Sequence, residues 1–244
     1  MTEPKPDNIY ATPLDRVTEF AFDEAVARVF PDMIQRSVPG YTTIIPMLGV
    51  MAQRYAQPDT VCYDLGCSLG ASTLAMRHGL KDKGNTIIAV DNSEAMLQRC
   101  EHYIALDNSP VPVKLVCTDI RTLEFQPASV VTLNFTLQFL PQYDRADMLT
   151  RIAEALVPGG ALVLSEKICF EQTSEQSTLQ ELHWDFKKAN GYSDLEVSQK
   201  RTALENVLIP ETRQAHETRL LAAGFKQVIL WYQCFNFVSF LAIK

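Results

Sequence analysis

From residue 60 onward, short apolar runs alternate with segments whose apolar residues recur at helical spacing. Several runs are apolar without alternation, which is typical of parallel strands that are covered on both faces. This order predicts an α/β fold with a doubly wound, mostly parallel sheet. The predicted strands are 60–65, 86–91, 112–119, 129–135 and 161–167, and the predicted helices between them are 69–80, 93–104 and 143–156.

The C-terminal end of the chain has a different pattern. Two apolar runs, at roughly 226–232 and 236–243, are separated by only a short join. A join of that length connects antiparallel strands, because a parallel pair needs a long crossover. A parallel sheet that ends in an antiparallel hairpin resembles the fold of S-adenosyl-L-methionine (SAM) methyltransferases more than the plain dinucleotide-binding fold.

Two further regions have mainly helical patterns. Residues 14–57 form a helical lead-in, and residues 170–212 form a largely helical insertion before the last strands. The apolar content of the insertion is modest, so we expect it to be a lid or a partner surface and not a second domain. The predicted parts of this single domain are 1–57 (lead-in), 58–169 (ligand-binding core), 170–212 (insertion) and 213–244 (last helix and hairpin).

Composition and charge exclude several classes of function. The net charge of −7 over 244 residues argues against broad nucleic-acid binding, which needs a cationic surface. The N-terminus lacks the order of a signal peptide, and no apolar stretch is long enough to span a membrane. The six cysteines lie scattered without a CxxC pair, and the four histidines are far apart. We therefore expect buried free thiols, a cytoplasmic protein and no metal site.

The sequence YDLGCSLG, residues 63–70, lies where the first strand ends and the next helix begins. Ligands of open α/β sheets bind at such strand ends. Gly66 allows a sharp turn, and Gly70 permits tight packing of the helix. The amides of Cys67 and Ser68 are expected to be exposed and to bind a carboxylate, and Asp64 can pair with an ammonium group. An amino-acid moiety suits this loop at least as well as a pyrophosphate, although a glycine-rich turn without a ligand remains an alternative.

The next three strand ends also carry polar groups. Asp91 ends the second strand and suits the two ribose hydroxyls, with Asn92 following it; helix capping alone is the alternative for Asp91. After the third strand, Asp119 can accept from an adenine amino group and the Ile120 amide can contact the ring. Asn134 ends the fourth strand, over the same crevice. Four such groups in this order fit SAM better than a nicotinamide dinucleotide.

Several longer segments are more specific than the loop. They read VFPDMIQRSVPGY, LNFTLQFL, PGGALVLSEK, HWDFKKANGYSDLEVSQKR and LENVL, beside YDLGCSLG and DNS. Together they closely resemble the carboxy-S-adenosyl-L-methionine synthase family, over nearly the whole chain from about residue 13. The segments 29–41 and 183–207 are the most specific part of this resemblance.

The resemblance implies an unusual use of the methyltransferase fold. Members of the family convert SAM and prephenate to carboxy-SAM and phenylpyruvate by adding a carboxyl group to the SAM methyl carbon. Carboxy-SAM can co-purify, and it is handed to a separate enzyme that carboxymethylates the wobble uridine of certain tRNAs. The resemblance also implies a homodimer that does not itself contact nucleic acid.

The resemblance further places a carboxylate-binding arginine at Arg201 and a ligand-covering tyrosine at Tyr41. From the residues alone, Arg201 reads as a solvated surface arginine and Tyr41 as a buried aromatic. Lys200 has no assigned role. No base for the methyl proton is evident: His183 reads as a core residue, and the other histidines lie in surface-like helices. The family proposal is that the departing prephenate fragment supplies the base.

Two other functions share these motifs. A SAM-dependent methyltransferase acting on a small molecule would use the same loop, Asp91 and Asp119, but would release S-adenosylhomocysteine. A binding module that acts through residues 170–212 would bind the ligand without turnover. The products formed from SAM separate these alternatives.

Overall fold

The computed structural model describes residues 6–80 and 83–244, which form one sheet with helices on both faces. The strands of this part of the chain are β1 Val61–Leu65, β2 Thr86–Asp91, β3 Val113–Cys117, β4 Ala128–Asn134, β5 Leu156–Cys169, β6 Glu211–Thr212, β7 Gln227–Cys234 and β8 Phe237–Ile243. The helices are α1 Glu24–Ser37, α2 Tyr41–Tyr55, α3 Ala71–Gly79, α4 Glu94–Leu106, α5 Arg145–Ala155, α6 Thr173–Ala189, α7 Asp194–Leu204 and α8 Arg213–Ala222.

The sheet has the strand order β3-β2-β1-β4-β5-β8-β7, with β6 beside the end of β5. Strands β1 to β5 are parallel, whereas β8 runs antiparallel to both of its neighbours, β5 and β7. The predicted doubly wound sheet with a C-terminal antiparallel hairpin is confirmed. Because the first five strands are parallel, their carboxyl ends meet at one edge of the sheet.

Two strands differ from the prediction. β5 begins at Leu156, before the Pro-Gly-Gly stretch, because backbone hydrogen bonds join Gly159 and Gly160 to Lys244 beside it. The short strand β6 was not predicted. Its two residues lie in the expected helical insertion, where they pair with Ile168 and Cys169. Length alone explains the omission, since two residues carry no periodic signal.

Apolar side chains from both faces of the sheet are buried, which explains the runs without alternation. On one face, Met148 of α5 and Leu220 of α8 belong to a cluster with Leu65 and Leu133. On the other face, α2 and α3 pack against Cys62 and neighbouring strand residues. Burial of the cysteines is less complete than expected, because Cys117 on the edge strand β3 is exposed. No helix in the described ranges is long and apolar enough to cross a membrane.

Helices α1 and α2 lie in the predicted lead-in and meet at Gly40. This glycine has φ +78°, and a Cβ atom there would lie 1.6 Å from the Tyr232 hydroxyl oxygen. A glycine at this position therefore allows Tyr41 to start α2 directly against β7.

Helix α7 is tied to the N-terminal segment. The Gln199 side chain donates to the backbone oxygens of Tyr10 (3.0 Å) and Thr12 (2.9 Å) and accepts from the Leu14 N–H (2.8 Å). A capping box at Ser193 and Glu196 starts this helix. The insertion is therefore held from its own start and from the beginning of the described chain.

Candidate functional site

A cavity of about 710 Å³ lies at the carboxyl edge of the parallel strands. The loops after β1 to β4 form its floor, and α1, α6 and α7 supply residues of the surrounding walls. Such a crevice is where open α/β sheets bind their ligands. The insertion predicted at 170–212 thus contributes directly to the cavity.

The loop after β1 approaches its neighbours very closely at Gly66. This residue has φ +76°, and a Cβ atom would lie 2.3 Å from Thr136 Oγ1. Ser68 also has a positive φ, +50°, at the position where similar loops often have a second glycine. A strained non-glycine residue beside a cavity is often associated with ligand binding.

The amides of this loop are not exposed, so that part of the prediction was wrong. The N–H groups of Gly66 and Cys67 donate to Val90 O at 2.8 and 2.9 Å, and the Ser68 N–H donates to Asp91 Oδ2 at 2.8 Å. The adjacent parallel strand β2 accepts these hydrogen bonds because it extends as far as the loop. The loop is therefore preformed by the protein itself.

Asp91 lies at the end of β2 and lines the cavity together with Asn92. Its carboxylate accepts from the N–H groups of Ser68 (2.8 Å) and Ser93 (2.9 Å). Burial raises the pKa of Asp91, and these hydrogen bonds oppose that rise. Each carboxylate oxygen keeps a further lone pair, so the group can still accept from hydroxyls of a ligand.

Asp119 and Ile120 follow β3 and line the same cavity. The Arg121 guanidinium contacts the Asp119 carboxylate through two nitrogens, at 3.0 and 2.6 Å, and lowers the pKa of that carboxyl group. Arg121 also bonds Asp144 at 2.9 Å. Asp119 is therefore ionised and fixed in direction.

Asn134 and Tyr41 complete the predicted set on this cavity. The Asn134 amide donates to Ser72 Oγ at 3.3 Å, while its buried Oδ1 has no partner in the described residues. Phe135, next to it, has φ +61°. Burial, and secondly the Asp64 carboxylate, raise the pKa of Tyr41, which keeps its phenol neutral.

Asp64 and Gly70 do not line the cavity in the described structure. The Asp64 carboxylate is buried and accepts from the hydroxyls of Thr73 (2.6 Å) and Thr132 (2.9 Å). Burial raises its pKa to about 6. A Cβ atom at Gly70 would lie 2.6 Å from Cys100 Sγ, so this glycine permits close packing on α4. Asp64 and Gly70 therefore support the loop without lining the cavity.

Arg201 is also absent from the cavity of its own chain. It is exposed on α7, with its guanidinium carbon 5.4 Å from the centre of the Trp184 ring on α6. The preceding residue, Lys200, faces the cavity instead and is only 4 % exposed. Adjacent residues of a helix point about 100° apart, which separates these two side chains.

Four basic residues that β5, α6 and α7 contribute to the cavity were not predicted as site residues. They are Lys167, His183, Lys187 and Lys200. The search for polar residues at the ends of β1 to β4 would also have found Lys167 if it had been extended to β5, because Lys167 lies near the end of that strand. His183 and Lys187 are one helical turn apart on α6, which is a weaker signal. His216 was expected in a surface-like segment, but it is buried next to Phe240.

An aromatic wall closes another side of the cavity. Phe22 makes edge-to-face contacts with Phe20 (5.1 Å between ring centres), Phe30 (6.2 Å) and Phe139 (5.2 Å). All four rings line the cavity. The site therefore combines polar strand ends with an apolar wall.

Comparison with known proteins identifies the class of this fold. A family model described as a methyltransferase domain matches residues 62–160. Human N-acetylserotonin methyltransferase, solved with SAM, has a TM-score of 0.58 at 14 % identity, covering 91 % of this chain and 55 % of that one. An O-methyltransferase family protein from Burkholderia thailandensis has a TM-score of 0.59 at 16 % identity, covering 91 % and 59 %. The chain therefore has the fold of SAM-dependent methyltransferases.

Sequence relatives narrow this class to one family. The carboxy-S-adenosyl-L-methionine synthase of Marinobacter nauticus is 63 % identical, over 98 % of this chain and 95 % of that protein. The synthase of a Geobacter species is 56 % identical, over 98 % and 99 %. The chain belongs to the carboxy-S-adenosyl-L-methionine synthase family, as its sequence segments predict.

Proposed function

We propose that this enzyme converts SAM and prephenate to carboxy-SAM and phenylpyruvate. Apart from the family, the observation that supports this function best is that a single cavity joins the polar strand ends to the aromatic wall. The strand ends suit an adenosine and an amino acid, while the aromatic wall suits a ring-bearing second substrate. We propose SAM as the first ligand, with Asp91 on the ribose hydroxyls and Asp119 and Ile120 at the adenine.

The proposed reaction needs an apolar, closed site. Prephenate loses its ring carboxylate as carbon dioxide and its ring hydroxyl as hydroxide, and the bond electrons complete the aromatic ring of phenylpyruvate. The hydroxide removes a proton from the SAM methyl group, leaving water and a sulfur ylide. The ylide carbon then attacks carbon dioxide to form the new carbon–carbon bond. Exclusion of bulk water protects the ylide from protonation, which is the role we assign to the aromatic wall.

The carboxylate that forms needs a cation, for which we propose Arg201. Arg201 lies outside the cavity of its own subunit, so we propose that it reaches the cavity of a second copy in a homodimer. Tyr41 and Asn134 are then the groups of the chain's own cavity placed near the reacting centre. We further propose that the product is passed to a tRNA-carboxymethylating enzyme, and the net charge of −7 fits a protein that makes the donor without binding the RNA.

The test is the mass of the nucleoside formed from SAM, with and without prephenate labelled with ¹³C at the ring carboxylate. We expect a prephenate-dependent product with the mass of SAM plus labelled carbon dioxide. S-adenosylhomocysteine would instead indicate methyl transfer to a small molecule. Retained SAM without turnover would favour a binding module.

A second measurement tests which carbon is carboxylated. SAM with a trideuterated methyl group is expected to give a product with two deuterium atoms, because the methyl carbon loses one when it forms the new carbon–carbon bond. A product that retains all three would place the carboxyl group on another atom and contradict the ylide.

A further inference from the structure

We infer that Lys167 and Lys187 form a two-cation subsite for the carboxylate that the carboxyl donor retains, which is the 2-oxo acid group of the leaving product. This inference rests on the proposed function and names residues of the second-substrate site. Neither lysine belongs to the strand-end set that suits SAM.

Three lysines reach the same wall from three different elements. Lys167 lies near the end of β5, Lys187 on α6 and Lys200 on α7, and all three line the cavity. Lys187 is 7 % exposed and Lys167 is partly buried. A buried ammonium group is stabilised by a counter-ion or by strong hydrogen bonds.

Among the residues that the structure describes, only one of the three has such partners. Lys200 Nζ is 3.3 Å from the buried Asp7 carboxylate, and it donates to Ser37 Oγ at 3.0 Å. The ammonium groups of Lys167 and Lys187 make no ion pair or hydrogen bond with any residue in the ranges 6–80 and 83–244. The wall thus carries more positive than negative charge, directed at a cavity.

The pKa values agree with this excess of charge. Burial, and secondly the charges of Lys200 and Lys167, lower the pKa of Lys187 to about 7, although the Asp7 carboxylate opposes this shift. Burial also lowers the pKa of Lys167 to about 8. A bound anion would restore both values, because an opposite charge favours the protonated lysine. His183, between them, adds no charge: its Nε2 lies 2.8 Å from the Ser37 carbonyl, and burial lowers its pKa strongly.

The chemistry of decarboxylation decides which carboxylate these lysines hold. A cation on the departing carboxylate would stabilise it in the ground state and slow the loss of carbon dioxide, whereas an apolar surrounding favours that loss. The transferred carboxylate therefore belongs near the aromatic wall. The retained carboxylate has a fixed charge throughout the reaction, and the lysine wall can anchor it without this penalty.

Phenylpyruvate is the probe, because it carries the retained carboxylate and binds without turnover. We would measure its dissociation constant by calorimetry at pH 6.5 on the SAM-saturated protein. Lys187→Met and Lys167→Met are each expected to weaken phenylpyruvate about 10- to 100-fold, the effect of one charge-assisted hydrogen bond, while SAM binding stays within about twofold. Lys187→Arg is expected to recover most of the affinity.

Lys188→Met is the matched control. Lys188 is the next residue of the same helix, but it is exposed and paired with Asp185 at 2.9 Å. It should bind phenylpyruvate as the unchanged protein does. Circular dichroism and SAM affinity establish that each variant is folded.

Each other result overturns the inference. The subsite would be disproved if Lys187→Met and Lys188→Met bound phenylpyruvate equally well, or if the unchanged protein did not bind it. A parallel loss of SAM affinity would assign the lysines to the methionine carboxylate instead. Failure of the proposed function looks different: phenylpyruvate would bind in a lysine-dependent way, but prephenate would yield no carboxy-SAM.

Discussion

The cavity has a strand-end wall, with Asp91, Asp119 and Asn134, and a lysine wall, with Lys167, Lys187 and Lys200. The two walls differ in how their charges are balanced. On the strand-end wall, Asp91 accepts two backbone N–H groups and Asp119 is held by Arg121. On the lysine wall, Lys167 and Lys187 have no acidic partner within the described chain. The two acids of the first wall have their partners before a ligand arrives, whereas the lysines of the second wall need an anion to balance their charge. The difference indicates that the proposed SAM site is preorganised, whereas the proposed second-substrate site needs a negatively charged ligand to balance its lysines.

The largest expected effect is that of Arg201, which our proposal adds to the cavity from a second subunit. Arg201→Glu is expected to lower kcat for carboxy-SAM formation about 10²- to 10³-fold, because the transition state loses one hydrogen-bond donor to its developing negative charge. SAM affinity should change little. Arg213→Glu, at another exposed arginine, is the control. An unchanged kcat in Arg201→Glu would remove this residue from the site.

A mixed dimer shows which subunit supplies the arginine. Equal amounts of Arg201→Glu and Asp91→Asn chains, unfolded and refolded together, are expected to regain about a quarter of full activity if Arg201 acts across the dimer. One site of each mixed dimer then has both residues intact. No recovery would mean that Arg201 acts within its own subunit.

The second expected effect concerns the preformed wall. Asp91→Asn is expected to weaken SAM binding about 10- to 100-fold, because the ribose loses a charged acceptor. Phenylpyruvate affinity should change far less, since the two walls are separate. Glu94→Gln, an exposed acid at the start of α4, is the control for charge alone. Equal loss of both ligands would contradict the division into two walls.

The third prediction tests how rigidly the strand-end wall is built. Gly66→Ala is expected to cost about 2 kcal/mol of unfolding free energy, because it adds a clash with Thr136 to the strain of a positive φ. Gly84→Ala is the matched control: Gly84 has φ +74°, but no described atom lies within 4 Å of an added Cβ. Denaturant unfolding measures the free energy of unfolding of both variants. Equal losses would show that Thr136 moves away from the added methyl group without an energetic penalty.

The smallest expected effect is a pH slope from the lysine wall. The pKa of Lys187 is lowered to about 7, so between pH 7 and its ordinary value the unfolded chain binds more protons than the folded one. Because of this group, the free energy of unfolding rises over this pH range, by up to about 1 kcal/mol per pH unit. Lys187→Met should remove that dependence on pH. Saturating phenylpyruvate should flatten it as well. The charges that act on Lys187 are those of Lys200, Lys167 and Asp7, and His183 lies beside it; Arg36 and Asp32 act on Lys200.

Much of the strand-end wall could be predicted because it follows from the chain's own order. Parallel strands bring their carboxyl ends to one edge, so Asp91, Asp119 and Asn134 were placed together correctly by position alone. The hydrogen bonds of the Cys67 and Ser68 amides could not be predicted, since they depend on the register between β1 and β2.

The lysine wall could not be predicted in the same way. Lys200 and Arg201 are neighbours in the sequence, and only the rotational position of α7 decides which one faces the cavity. That position is set by distant contacts, such as those of Gln199 with the N-terminal segment. A polar helix with few apolar residues gives no periodic pattern from which its inner face can be recognised.

The hydrogen bonds of Gln199 have a practical consequence for work with this protein. The helix that carries Lys200 and Arg201 is fastened to the backbone at residues 10, 12 and 14, near the beginning of the chain. The N-termini of proteins are commonly used as attachment sites for affinity tags and fusion partners. Here, a deletion that reaches residues 10–14 would remove the hydrogen bonds of Gln199 and loosen the helix that places Lys200 in the cavity wall.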